Sequence, residues 1–399
     1  MLDTLSQLLW VRNLMIDFFL FGLIRWIMSI LNWFVPNDPR LILFGSNRGK
    51  TWSDNSKALF EYMRSESRGL KPVWFSLSRT TISEISKDGR GSAVYAFSPK
   101  GVLTYLRASQ IFVSHSFMDM CYFPPVGGKK VNYVWHGIPM RKIGLSSPDT
   151  RIKKFWRRWN SAADRFFLSS NYEGKILHDA FGKEDVEIIE SGNPRNDWLF
   201  GRENTIEDLD ASENTVKTIL YAPTWRVTGD GIANDRVPLL HPEFDASRIE
   251  NFLRTIDAKL VIRPHAALNS QNIDSERIEY VPTEKVADIS QLFAFADVFV
   301  TDYSSAYFDW LITGKPVIFS AYDLEEYRRI YGFNYKYEEI VAGPIATNPE
   351  EIEDAIKRAL VNPDEYREIR GDIASMVFGK NRGGAGEKIM QIIENNKEI

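Results

Sequence analysis

Three of the five histidines in this 399-residue chain stand where an apolar run gives way to polar residues. They are His115 after Ile111–Ser114, His136 in Trp135-His136-Gly137-Ile138-Pro139, and His265 in Arg263-Pro264-His265. An imidazole titrates near neutrality, so a histidine presented at a strand end can take a proton from an attacking hydroxyl. His136 is the candidate general base, because Gly137 permits a tight turn and close substrate approach. His265 follows a proline that fixes its turn, and with Arg263 it offers a donor and a positive charge to a diphosphate. A third cluster, Thr301-Asp302-Tyr303-Ser304-Ser305, follows the apolar run Val298–Val300 and opens a helical pattern. Free N–H groups at a helix start, joined by two hydroxyls, suit a phosphate, although one serine there also reads as an ordinary cap. Arg263, and Arg226 in Ala222-Pro223-Thr224-Trp225-Arg226, also read as partners in ion pairs.

Those residues need a scaffold that brings strand ends together. Short runs rich in β-branched and aromatic residues recur at Leu41–Ser46, Pro72–Leu77, Ala93–Phe97, Ile111–His115, Asn132–His136, Arg165–Ser169 and Val186–Ser191. Amphipathic stretches such as Asn55–Arg64 and Gly101–Ala108 separate several of them, the pattern of βαβ units and a parallel sheet. A polar, acidic interval, Gly201–Val216, reads as a linker. A second series follows at Thr218–Pro223, Lys259–Arg263, Ile278–Val281, Asp297–Thr301 and Pro316–Ser320. The expectation is an α/β chain of two doubly wound parallel-sheet domains, 36–205 and 206–399, behind an apolar segment 1–35, with the last helix able to cross back. Ligands of such sheets collect beyond the carboxyl ends of the strands, so the cleft between the domains is the expected site. Gly192-Asn193-Pro194-Arg195 and Ser169-Ser170-Asn171 fall at the same ends.

Composition narrows the classes. With 44% hydrophobic and 26% charged residues the chain is neither disordered nor collagen-like. A formal net charge of −4 gives no global basic excess, so a nucleic-acid partner is not expected. Cys121 alone allows no intramolecular disulfide and no Cys-rich metal site, which fits a reducing compartment. No His/Cys cluster has metal spacing, and the one Asp-x-Asp pair, Asp208 and Asp210, lies in the acidic linker; no metal or other cofactor is expected. From Leu8 to Phe34 the chain is apolar and aromatic but interrupted by Arg12, Asp17 and Arg25, a poor membrane span. Asn13, Asp17, Arg25, Ser29 and Asn32 fall along one stripe, leaving Trp10, Leu14, Phe18, Trp26, Ile30 and Trp33 on the rest. That pattern suits a helix in the membrane interface, or one packed on its own domain or a partner subunit. A basic run (Lys129, Lys130, Arg141, Lys142, Arg151, Lys153, Lys154, Arg157, Arg158) reads as a solvated face or as a surface for anionic lipid or a lipid diphosphate acceptor.

The same residues carry a family resemblance. Trp135–Gly144, Gly192–Asp197, Tyr221–Arg226, Arg263–His265 and Thr301–Ser305 occur in the order seen in the CDP-glycerol glycerophosphotransferases of teichoic acid synthesis. The likeness continues through Phe308-Asp309, Lys315-Pro316, Tyr322-Asp323 and Ala342-Gly343-Pro344, covering roughly Leu41 to Asn381. It implies a GT-B fold, with the acceptor on the N-terminal domain and the cytidine nucleotide on the C-terminal one. It also implies that His136 and His265 are the functional pair. The implied reaction is displacement at the β-phosphorus of CDP-glycerol or another CDP-polyol by an acceptor hydroxyl, with CMP leaving. The acceptor implied is a polyprenyl-diphosphate-linked saccharide or growing polymer at the inner leaflet of the membrane, where the enzyme sits as a peripheral protein. Donor-side contacts are expected from Arg263, Ser304, Ser305, Asp302, Thr224, Arg226, Arg195 and Gly137. The basic patch for membrane or acceptor is expected from Arg141, Lys142, Lys153, Lys154, Arg157 and Arg158. Phe308 and Asp309 are expected to serve packing and helix alignment. Two other readings stay open at this point: a GT-B glycosyltransferase using a CMP- or UDP-sugar, and a noncatalytic subunit that binds nucleotide or polymer.

Overall fold

The computed structural model describes residues 22–67, 69–87, 89, 92–150, 152–153, 156, 162–201, 216–224, 240–264, 275–283, 285–286 and 288–395. His265, Arg226, Lys154, Arg157, Arg158, most of the acidic interval and the start of the apolar segment lie outside them.

The first sheet is built from β1 (Asp38–Gly45), β2 (Lys71–Ser76), β3 (Ala93–Tyr95), β4 (Ala108–Val113), β5 (Lys130–Tyr133), β6 (Arg165–Leu168) and β7 (Glu187–Glu190). All pairs are parallel and the order is β3-β2-β1-β4-β5-β6-β7. The second sheet takes β8 (Lys217–Tyr221), β9 (Ala258–Ile262), β10 (Ile278–Tyr280), β11 (Val298–Thr301), β12 (Val317–Ser320) and β13 (Ile345–Ala346). It too is all parallel, in the order β10-β9-β8-β11-β12-β13. Each strand expected from sequence forms; β13 was not expected, because a two-residue strand carries no periodicity to read.

The chemistry of these runs follows from being covered on both faces. β6 and β11 are buried at every position, which is why Phe166–Leu168 and Val298–Val300 read as continuous apolar runs rather than alternating ones. β7, at the sheet edge, carries Glu187 and Glu190 at its ends, charges that discourage pairing with another chain. Several helices start on a capping hydroxyl or amide: Ser98 accepts from Gly101 N, Ser170 from Glu173 N and Asn348 from Glu351 N. The closing helix Ala385–Asn395 returns to the first sheet, where Ile389 and Ile393 are buried with Phe44, Phe60 and Trp74.

Residues 22–33 are helical. Met28 is buried in the first-domain core with Ile24 and Val35 packed beside it, and Asn32 accepts from Lys129 Nζ at 2.8 Å. The stripe read as polar therefore turns Asn32 inward. Lys129, counted above in the basic run, is likewise a buried residue: its ammonium also donates to Leu106 O at 3.0 Å, and burial lowers its pKa to about 8. On the opposite side Leu23, Trp26, Ile27, Ile30, Leu31, Trp33 and Phe34 are exposed.

In both sheets the strand order reverses beside the first strand, between β1 and β4 and between β8 and β11. A crevice opens at the carboxyl ends of such strands, because their connections leave toward opposite faces. Among the described residues, His136 and Arg195 follow strands of the first sheet, and Thr224, Arg263, Asp302, Ser304 and Ser305 follow strands of the second.

Candidate active site

In the first domain, a buried carboxylate organises the crevice. Asp119, fully buried, accepts N–H bonds from Arg48 at 2.9 Å, Ser114 at 3.1 Å, His115 at 2.8 Å and Ser116 at 3.4 Å, so one side chain ties the turn after β1 to the turn after β4. Burial opposes its charge, but these donors and His115 hold its pKa below the usual carboxylate value.

His136 follows β5 on a strained turn. Trp135 has φ 48°, rare for a bulky residue, and Gly137 has φ 120°. Asn55 Nδ2 fixes this turn by donating to Val134 O and Trp135 O, each at 3.0 Å. The His136 ring lies between Trp135 and His115, with ring centroids 4.4 Å away in both cases. Its Nδ1 is 3.0 Å from Ser114 O. A carbonyl can only accept, so Nδ1 carries the hydrogen and the lone pair resides on Nε2, which bonds to none of the described residues. Burial, reinforced by the charge on His115, lowers the His136 pKa to about 4. At neutral pH the ring is an uncharged base.

Arg195 then joins the two domains. It follows β7, and its backbone N–H donates to Asn55 Oδ1 at 3.0 Å. Its guanidinium reaches Asp54 Oδ1 at 2.9 Å, His136 O at 3.0 Å and, across the seam, Asp309 Oδ2. Asn196 Nδ2 donates to the other Asp309 oxygen at 2.8 Å. Burial alone would lower the Arg195 pKa, but Asp309 and Asp54 raise it. The cation expected to face donor phosphate is thus matched by two carboxylates and acts as a strut. Glu173 lies close behind; burial raises its pKa to about 7, although Ser169 N and Oγ both donate to Oε2.

The second domain presents the ends of β8, β9 and β11. Asp302, buried, accepts Thr224 N at 2.8 Å and Thr224 Oγ1 at 2.6 Å. The two residues expected on the donor are therefore turned toward each other and lock the loop after β8 to the loop after β11. Arg263 is also mostly buried, with Nη1 donating to Val281 O at 3.1 Å. Ser304 and Ser305 open the short helix Ala306–Trp310 and neither is fully buried. Ser305 faces the first domain: a Cβ placed on Gly137 would lie 3.6 Å from Ser305 Oγ. The His136-Gly137 turn and the Ser304-Ser305 turn thus confront each other.

The loop after Gly137 is fastened to the second domain too. Tyr335 OH and Asn334 Nδ2 donate to Pro139 O at 2.6 and 2.8 Å, and Lys142 N donates to Gly332 O at 3.1 Å. Arg141 lies over the Tyr331 ring. Lys142 and Lys153 line, with Lys175, Tyr172 and Tyr335, a cavity of about 650 Å³ beside this seam. Sequence reasoning placed His115 at a strand end but gave it no role, and it missed Asp54, Asn55 and Asp119; Asn55 entered only as the start of the amphipathic stretch Asn55–Arg64. Asp309, read as a packing residue, is the seam's buried anion.

Gly137 is the position where these contacts leave no room. Its φ of 120° disfavours a side chain, and an added Cβ would lie 2.7 Å from Nη2 of Arg195, whose guanidinium is held by Asp54 and His136 O through Nη1 and by Asp309 through Nη2. Gly137→Ala is expected to cost about 1–3 kcal/mol in denaturant unfolding. Unchanged stability would contradict this account of the seam.

Comparison with known proteins gives this geometry a family. Residues 27–395 match the model of the CDP-Glycerol:Poly(glycerophosphate) glycerophosphotransferase family. The chain is 30% identical over 381 residues to a teichoic acid glycerol-phosphate transferase of Staphylococcus aureus, covering 90% of this chain and 94% of that protein. It is 29% identical to a teichoic acid poly(glycerol phosphate) polymerase of Staphylococcus epidermidis, spanning 90% of this chain but 51% of the polymerase. The solved structure of the wall teichoic acid polymerase TagF superposes with a TM-score of 0.76 at 25% identity, covering 98% of this chain and 96% of that one. The GT-B architecture implied by the sequence motifs is the one found, and the chain belongs to the CDP-glycerol:poly(glycerophosphate) glycerophosphotransferase family.

Proposed function

We propose that this chain transfers a polyol phosphate, glycerol phosphate in the first instance, from a CDP-polyol to a hydroxyl of a lipid-linked saccharide or growing polymer. The acceptor O–H gives its proton to His136 Nε2 as its oxygen bonds to the β-phosphorus; the bond from that phosphorus to the bridging oxygen breaks, and CMP leaves. The observation that carries this reading is an imidazole held through Nδ1 by Ser114 O, set opposite a Ser-Ser helix start across a narrow seam. Ser304, Ser305 and the N–H groups beside them are assigned to the β-phosphate. His265 and Arg226 are assigned to the diphosphate, and Arg263 anchors the end of β9. The reading calls for no cofactor. Lys142 and Lys153, on the cavity beside the seam, are assigned to the acceptor's phosphates.

The test is CMP release from CDP-glycerol with a lipid-linked disaccharide acceptor. His136→Asn should lower kcat by at least about 100-fold while leaving CDP affinity within a few-fold, as loss of a positioned base does. Full turnover by this variant would remove His136 from the role.

The exposed side of helix 22–33 extends the proposal to location. Trp26, Trp33 and Phe34 are 64%, 88% and 79% exposed, an apolar face that a solvated helix does not need. Among the described residues no helix is long and apolar enough to cross a membrane. A monotopic helix on the cytoplasmic leaflet, seating the protein beside its lipid-linked acceptor, fits this face. The triple change Trp26→Ser, Trp33→Ser and Phe34→Ser should weaken sedimentation with phosphatidylglycerol vesicles at least about tenfold, the scale of one lost buried side chain. Equal sedimentation would contradict the docking role.

A further inference from the structure

His115 is absorbed by none of the roles above, yet its ring is stacked on that of the proposed base. Its ring stacks on His136 with centroids 4.4 Å apart and planes 15° from parallel. Nε2 lies 3.6 Å from Asp54 Oδ2, and Nδ1 lies 3.6 Å from Asp119 Oδ2. A ring between two carboxylates, one of them fully buried, is in a setting that favours the imidazolium.

We propose that His115 is a positioning residue that holds a positive charge against the face of His136, keeping the base neutral until an anionic donor enters. The inference rests on the reading of His136 as base. The ionisable groups around His136 are His115 after β4, Asp54 at the start of helix Asp54–Glu66, Asp119 in the turn Phe117–Met120, Arg195 after β7 and Asp309 across the seam. Asp309 and Asp54 pair with Arg195, and Asp119 accepts backbone N–H groups and flanks His115, so the ionisable ring stacked directly on the base is that of His115. Burial works against a charge on His115, but Asp119 and Asp54 raise its pKa above the ordinary histidine value.

The consequence is a base switched on by its substrate. With the cleft empty, a second positive charge on His136 is opposed by its neighbour, so Nε2 keeps its lone pair down to acidic pH. A diphosphate brings negative charge to the same spot and offsets the field of His115, and His136 becomes basic enough to take the acceptor's proton as the new P–O bond forms. When CMP has left, His115 again repels the imidazolium and the proton passes to water, restoring the neutral ring. A merely structural His115 would hold the turn without affecting any of these protonation steps.

The experiment is NMR titration of the five histidines in ring-labelled protein, with single His→Gln variants for assignment. In the native protein His115 should be protonated at pH 7, while His136 should be neutral and show no titration until well below pH 6. Adding CDP-glycerol should raise the His136 midpoint. In His115→Gln that midpoint should rise by about one unit without donor, as removal of an adjacent like charge requires, and the acid limb of kcat/KM should move with it. A neutral His115 at pH 7 in the native protein overturns the proposal, and that readout decides even where the variant does not fold. So does an unmoved His136 midpoint in folded His115→Gln. Failure of the base assignment itself shows elsewhere, as turnover retained by His136→Asn.

Discussion

Arg195 has lost nearly all its water, with a side chain only 11% exposed, and its charge must be met by protein. Asp54 meets it from the first domain and Asp309 from the second, so loss of Arg195 leaves two carboxylates without their cation and loss of Asp309 leaves the guanidinium with a carboxylate on one side of the seam only; a buried charge short of partners costs far more than the net value of an intact pair. This makes the relative placement of the two domains a requirement of charge balance rather than of apolar contact alone. The same guanidinium donates to the carbonyl of His136 and presses against Gly137, so the turn carrying the proposed base takes its position from the pair.

The rest of the site follows from that anchor. The first domain supplies a neutral imidazole whose tautomer is fixed by Ser114 O, and the second supplies a helix start with two hydroxyls. Neither half contains the full set of groups needed for displacement at phosphorus. Backbone strain at Trp135 and Gly137 is held by Asn55, whose amide nitrogen caps two carbonyls of the turn and whose oxygen accepts the Arg195 N–H. One asparagine thereby links the conformation of the base turn to the position of the strut.

Much of this was legible in the sequence. Strands covered on both faces spell themselves as unbroken apolar runs, and a polar residue at their carboxyl end stands out against that background, which is what singles out His136, Ser304 and Ser305 as candidates. The carboxylates were harder to see. Asp54 and Asp119 sit at helix and turn starts, where an acidic residue is ordinary, and Arg195 and Asp309 are 114 residues apart. Nothing local marks such a pair; only the meeting of two domains does. Asp302 and Thr224 were legible as polar strand-end residues but not as partners of each other, because their hydrogen bond also joins distant segments. On helix 22–33 the stripe read from helical spacing placed Asn32 with the other polar residues, whereas the amide is drawn inward by the buried ammonium of Lys129.

The central claim is that the Asp54–Arg195–Asp309 pairing sets the catalytic geometry, and a double-mutant cycle between Arg195 and Asp309 tests it most directly. Arg195→Met should destabilise the protein by about 3–5 kcal/mol and Asp309→Leu by about 2–4 kcal/mol, both with loss of CMP release, because the first leaves Asp309 buried without its cation and the second leaves Arg195 with Asp54 alone. The double change, which strands less charge at the seam, should recover at least about 2 kcal/mol relative to the sum of the singles. Simple additivity of the two, in stability and in turnover, would contradict the account.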